Sequence, residues 1–301
     1  MTQQVPDVPA SDDPARGGGT GLLERVTTGR LRTVVRQCGA AWHHPANRGH
    51  RLAALARLAK FQVQGRVAHR RTSVPIGDHS RMWADLKVVS TIHAVVGNPP
   101  DWAPMQAWKQ LLRPGDLFVD VGASAGSYSL WAADHGARVI SVEPNPIARG
   151  LLTDNIALNG YPIEVVPAAL GREAGTAWFT DGLGTSNHLA EEHQGTEVEL
   201  RTLDGVVGDR HVRGLKIDVE GAERLVLEGG HRALAEGRID AVQLEWNDAS
   251  VSLLGEDRGP VTQLLADHGY RFFRPDDRGR LVPAAPDGYG PDIFAVAPDR
   301  A

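Results

Sequence analysis

Leu117-Phe118-Val119-Asp120-Val121-Gly122-Ala123-Ser124-Ala125-Gly126-Ser127 is an apolar run that ends beside an acid and breaks into small residues. The run reads as a buried strand, and the small residues as a tight turn that opens a helix. Gly122 and Gly126 carry no Cβ, so a ligand can lie against main chain there. The helix start after Gly126 supplies unpaired N–H groups. A turn of this kind also occurs without any ligand.

Downstream, apolar strands alternate with helical stretches. RVISVE follows the first helix, then LLTDNIALNG and IEVVPAAL, and further strands are expected at GLKIDVE and DAVQLEW. This alternation predicts parallel βαβ units and an α/β, Rossmann-like fold with a mostly parallel seven-stranded sheet. GYRFFRPDDRGRLVPA and DIFAVAP predict antiparallel strands at one edge. Residues 1–20, rich in Pro, Gly and Asp, predict disorder. Residues 21–103 predict a largely helical extension, with apolar positions Leu31, Val34, Val35, Cys38 and Trp42, then Leu52, Leu55 and Leu58, at helical spacing. The stretch 72–100 is ambiguous between strand and helix. The break at Asn98-Pro99-Pro100 marks the boundary with a catalytic domain over 104–301, which begins with a short helix over Met105–Leu112.

Composition narrows the function. With 42% hydrophobic and 23% charged residues the chain is ordinary for a globular protein, and no apolar run approaches the roughly 18 residues that span a bilayer. The first residues lack a basic start followed by an apolar stretch, so a cytoplasmic location is expected, and the single cysteine, Cys38, excludes an internal disulfide. Residues 21–100 carry +10 and the remainder −15. The basic segment reads either as solvated helix surface or as a face for an anionic substrate or carrier. Arg48, Arg51, Arg57, Arg66, Arg70 and Arg71 are not interleaved with stacking aromatics, which argues against nucleic acid.

Three acid-bearing stretches carry the chemistry. A dinucleotide site wants G-x-G-x-x-G, and Ser124 stands at its second Gly. Asp120 would repel a pyrophosphate but suit the cationic methionine end of S-adenosylmethionine. Glu143 ends the next strand, twenty-three residues on, where a carboxylate can accept from both ribose hydroxyls; Pro144 and Asn145 shape the turn beside it. In Leu215-Lys216-Ile217-Asp218-Val219-Glu220-Gly221-Ala222-Glu223, Asp218 and Glu220 point the same way if extended, and Glu223 caps the following helix.

DVGASAGSYSL, SVEPNP, LLTDNIALNG and above all LKIDVEGAE with VLEGG resemble the FkbM family of methyltransferases over roughly residues 110–297. The resemblance implies a class I methyltransferase fold, S-adenosylmethionine as cofactor and O-methylation of a sugar or secondary-metabolite hydroxyl. It places Asp120, Gly122, Ala123, Ser124, Gly126, Ser127, Glu143 and Asn145 on the cofactor, Ala168 and Ala169 beside the adenine, and Asp218 and Glu220 in the active site. The family often has Asn where this chain has Ser124.

Methyl transfer is an in-line displacement, so the protein aligns the acceptor oxygen and excludes water. A base that removes the hydroxyl proton adds roughly 100- to 10,000-fold. Asp218, Glu220, Glu245 and His188 are the candidates; Glu245 ends the strand VQLE and His188 lies in the Gly-rich stretch DGLGTSNHL. Trp246 reads as pocket wall or as packing. Asp218, Glu220 and Glu245 together suit magnesium, although carboxylates beside a cofactor need no metal. His188 and His193 lack zinc-pair spacing. Competing readings are an N- or C-methyltransferase, a non-catalytic protein that keeps the cofactor fold, and a nicotinamide oxidoreductase, which the missing glycine disfavours.

Overall fold

The computed structural model describes residues 20–86, 88–179, 189–190, 195–246, 258–286 and 292–298. The expected N-terminal disorder, apart from Thr20, and His188 and His193 fall outside them.

Helix α1 (Thr20–His43) leads through a 3-10 turn at Pro45–Asn47 into α2 (Arg51–Val67). The ambiguous stretch resolves into a hairpin, β1 (Thr72–Pro75) with β2 (Arg81–Ala84), followed by α3 (Val89–Val96). Helix α4 (Trp102–Leu111) then delivers the chain to β3 (Leu117–Val121), all five of whose residues are buried. A parallel strand covered on both faces is expected to be apolar throughout.

From there the βαβ pattern holds: α5 (Ser127–Asp134), β4 (Arg138–Val142), α6 (Pro146–Asn159) and β5 (Glu164–Val166). The stretch expected as one strand after α6 is two. Pro167 lacks an N–H and ends β5, and β6 (Ala169–Leu170) joins a separate sheet with β7 (Gly175–Phe179), β8 (Leu189–Ala190) and β9 (Thr196–Arg201). Helix α7 (Leu203–Val207) and β10 (Val212–Ile217) return to the main sheet. The helices α8 (Glu223–Glu228) and α9 (His231–Ala235) lead to β11 (Ile239–Glu245). Helix α10 (Gly259–Asp267), β12 (Arg271–Pro275), β13 (Leu281–Pro283) and β14 (Asp292–Val296) complete the described chain.

The main sheet runs β13-β12-β14-β11-β10-β3-β4-β5, parallel from β11 to β5 and antiparallel from β11 to β13. This is the expected α/β, Rossmann-like class I architecture. The edge carries one strand more than expected, because a tight turn folds β13 back on β12. The Asp276 carboxylate accepts from the N–H groups of Arg278 at 2.8 Å and Arg280 at 3.0 Å, closing that turn.

One large apolar cluster packs Leu215, Ile217, Val242 and Leu244 against α8–α10, and a second packs Trp108 and Phe118 on the opposite face. A third joins Leu58, Phe61, Ile76 and Val95 of the N-terminal segment to Ala125 and Leu130, which follow β3. Polar contacts reinforce that seam. Asp134 on α5 accepts from the N–H of Asp78 at 2.6 Å, the N–H of His79 at 3.0 Å, Ser80 Oγ at 2.7 Å and the Tyr161 hydroxyl at 3.0 Å. No helix among the described residues is long and apolar enough to cross a membrane.

Candidate active site

Register places the site. Lys216 is level with Asp120, and Ile217 with both Val121 and Leu244, so β3, β4, β10 and β11 end together and their following turns border one crevice. In an open α/β sheet this carboxyl edge is where ligands bind. Here it holds a cavity of about 290 Å³.

One wall is Gly122, Ala123, Ser124 and Ser127, with Glu143, Asn145 and Ala148 beside it and Ala168, Ala169 and Leu170 beyond. The wall on the β10–β11 side is Asp218, Val219, Glu220 and Glu245. The structure therefore brings together Gly122, Ala123, Ser124, Ser127, Glu143, Asn145, Ala168 and Ala169, as expected, with three of the four candidate catalytic residues.

Glu143 is set by two main-chain donors. Its Oε2 accepts from the Ser124 N–H at 2.8 Å and its Oε1 from the Asn145 N–H at 2.8 Å. Each carboxylate oxygen keeps a further lone pair for a hydroxyl in the cavity. Burial pushes its acid up, while the bonds from Asn145 and Ser124 pull the other way. Ser124 sits at φ +49°, a left-handed conformation that Asn adopts more readily. The Asn145 side chain caps α6 by accepting from Ile147 and Ala148 N–H groups at 2.8 and 3.2 Å.

The placement of Asp120 departs from expectation. Asp120 does not line the cavity: it is 1% exposed, and its Oδ2 accepts from Ser129 Oγ at 2.6 Å while Lys216 Nζ lies 3.6 Å from Oδ1. The carboxylate lies behind the turn, in a buried polar layer. The glycines also answer to the protein's own packing. A Cβ on Gly122 would collide with the Asp218 carbonyl oxygen, and one on Gly126 would lie 2.5 Å from Leu152 Cδ1; both have left-handed φ, +78° and +90°. Gly126 is the N-cap of α5 and is not part of the cavity wall.

The acids on the far wall are arranged as a cluster. Lys216 Nζ donates to Asp218 Oδ2 at 2.9 Å, and Asp218 is hydrogen-bonded to Glu245. Burial raises Asp218, but Lys216 and the bond from Glu245 outweigh it and hold its acid below the usual range. Glu245 is pushed up to about 9 by burial and by the Asp218 charge. One proton therefore stays on Glu245 at neutral pH, pointing to Asp218. Glu220 sits at φ +53° at the head of the turn, and one oxygen from each of Asp218, Glu220 and Glu245 lies within 4.8 Å of the others. Glu223 closes that turn, its Oε1 accepting from the Gly221 N–H at 3.1 Å.

Residues not singled out from sequence complete the site. His93, Pro100 and Asp101 reach the cavity from the segment before β3, and Tyr128 from α5. Tyr128 lies over the Lys216 ammonium, 4.8 Å from ring centre, and its hydroxyl bonds Asp101. Gln243 on β11 donates from Nε2 to the Tyr128 hydroxyl at 3.0 Å and to Asp292 Oδ1 at 2.8 Å, and its Oε1 accepts from the Trp108 indole. Lys216 stood within the KIDVEGAE stretch, and its position two residues before Asp218 on an extended chain is the signal that places both on one side. Trp246 is packing: it is 2% exposed and its indole N–H donates to the Pro286 carbonyl at 3.0 Å.

Several cations of the basic segment are engaged locally. Arg57 donates to the carbonyls of Val95 and Val96, Arg71 pairs with Asp154, and Arg51 lies over the Trp42 ring.

The model of the methyltransferase FkbM domain matches residues 120–272. Methyltransferase sdnD of Sordaria araneosa is 27% identical over 213 residues, 57% of this chain and 79% of that protein. The 31-O-demethyl-FK506 methyltransferase FkbM of Streptomyces tacrolimicus is 29% identical over 205 residues, 55% of this chain and 76% of its own length. A crystal structure of methyltransferase FkbM from Methylobacillus flagellatus is 18% identical, with a TM-score of 0.42. The similarity covers 81% of this chain and spans 60% of the length of that structure.

Proposed function

The chain belongs to the methyltransferase FkbM domain family, and from that membership we propose that it transfers a methyl group from S-adenosylmethionine to a hydroxyl of a sugar or secondary-metabolite acceptor. The observation that carries this reading is the pairing of two walls. Glu143, held by two backbone donors, faces the small-residue turn on one side, and the Asp218–Glu220–Glu245 cluster stands on the other.

The donor set fits the cofactor. Asp101, Glu143, Asp218, Glu220 and Glu245 line the cavity with no Lys or Arg among the described lining residues, a field that attracts a cationic nucleoside and opposes a pyrophosphate. Glu143 would take the ribose hydroxyls, and Ala168, Ala169 and Leu170 the adenine. When bound, the cofactor supplies an electrophilic methyl carbon. Asp218 and Glu220 orient the acceptor hydroxyl. The three carboxyls hold one proton among them on Glu245, and the remaining negative charge receives the proton that the acceptor oxygen gives up. The same acids disfavour an anionic group near the reacting oxygen. His93 and Pro100 bring the N-terminal segment to the mouth of the site, where it selects the acceptor. The magnesium reading of the acid cluster forms no part of this proposal.

Calorimetric titration with S-adenosylhomocysteine, then a labelled-methyl screen of hydroxyl acceptors, tests the function. Glu143→Ala is expected to weaken the titration, whereas Glu220→Gln spares it and abolishes transfer. A chain that does not bind the nucleoside, or a Glu220→Gln variant with full turnover, overturns the reading.

A further inference from the structure

S-adenosylmethionine carries an ammonium at its methionine end, and the buried placement of Asp120 leaves the role expected of that residue open. We infer that Asp101, at the start of α4, is the carboxylate that grips this ammonium, an assignment that rests on the cofactor reading above.

The geometry is specific. Asp101 occupies the N-cap of α4, where an aspartate ordinarily accepts from the N–H two or three residues on. Its side chain makes no such bond. The carboxylate instead lines the cavity together with Gly122–Ser124, Ser127 and Tyr128, and the Tyr128 hydroxyl donates to it. Tyr128 is in turn fixed by Gln243, so the chain Trp108–Gln243–Tyr128–Asp101 runs from core to cavity.

Charge supports the assignment. The groups that act on Asp101 are His93 and Lys216 on the positive side and Asp218 on the negative, with Asp292 nearby. Lys216 is already bonded to Asp218. Burial by the surrounding protein pushes the Asp101 acid up, so the compensation supplied by His93, Lys216 and the Tyr128 hydroxyl is incomplete. An ammonium at this point completes it, and places the sulfonium between the turn after β3 and the acid cluster.

The test compares two nucleosides that differ at the methionine end. S-adenosylhomocysteine has the ammonium; 5′-methylthioadenosine lacks the whole amino-acid portion. Asp101→Asn is expected to weaken S-adenosylhomocysteine at least tenfold by calorimetry and to leave 5′-methylthioadenosine within twofold. Asp101→Ser, which restores a capping residue, is expected to do the same with unchanged thermal stability. Tyr128→Phe, with the carboxylate present but less well oriented, is expected to show about a threefold loss on S-adenosylhomocysteine alone. Equal losses for both nucleosides, or no loss for either, overturn the assignment while leaving the cofactor reading intact. If the unaltered chain binds 5′-methylthioadenosine as tightly as S-adenosylhomocysteine, the methionine end is not gripped and the assignment falls. If it binds neither, the cofactor reading falls with it.

Discussion

The α-carbon of Gly122 lies against the main-chain carbonyl of Asp218, with no space between them for a methyl group. That contact sets the distance between the turn after β3 and the turn after β10, and hence the distance between the two walls of the cavity. Gly122→Ala must push these turns apart and hold alanine at φ +78°. The combined cost is about 3 kcal/mol. Urea unfolding is expected to show that loss, and nucleoside binding is expected to fall with it.

The raised acid of Glu245 makes stability depend on pH. A carboxyl with an unfolded value near 4.5 and a folded value of about 9 binds more protons folded than unfolded across that interval, so stability falls as pH rises from about 5 to 9. Asp292, raised to about 7 by burial and by neighbouring acids, contributes in the same direction up to that pH. Urea midpoints at pH 6 and pH 9 are expected to differ less in Glu245→Gln than in the unaltered protein. An undiminished difference would show that Glu245 does not hold the proton.

Asp134 has the opposite sign. Burial raises its acid, but the bonds from Ser80 and the N–H groups of Asp78 and His79 prevail and lower it. Its contribution is present above the unfolded value and is lost as pH falls through the folded one. Asp134→Ala removes four hydrogen bonds at the junction of the β1–β2 turn with α5. A loss of about 2 kcal/mol is expected, with limited proteolysis opening first between residues 76 and 81.

Gln243 is fully buried and satisfies three partners, Trp108, Tyr128 and Asp292. Gln243→Leu keeps the volume and strands all three, at a cost of about 3 kcal/mol in a thermal or urea melt. Gln243→Glu is expected to restore the bond from Trp108 but to place a second acid against Asp292, and to recover less than half of the stability at pH 8.

The sheet was legible because β3, β4, β10 and β11 are short apolar runs with an acid at or near the carboxyl end, and helical sequence lies between them along the chain. The walls formed by Glu143, Asp218 and Glu220 followed from strand-end position alone. Asp120 did not, because on a strand buried on both faces the sequence gives no sign of which side its carboxylate takes; Ser129 and Lys216 draw it inward. Asp101 drew no attention in the sequence, since the helix was expected only from Met105 and only the folded chain shows a capping aspartate whose capping bond is unmade. The separation of β6 from β5 hinged on Pro167, a single missing donor inside an otherwise continuous apolar stretch.

The third apolar cluster has a practical meaning for anyone who would exchange acceptor preference between relatives. Leu58, Phe61, Ile76 and Val95 interdigitate with Ala125, in the turn after β3, and with Leu130, on the helix that follows that turn. A graft cut at the proline break would leave two half-cores of mismatched shape and disturb the turn after β3. Recombination that carries residues 51 through 134 as one block keeps the interlocked surfaces together and is the natural unit of exchange.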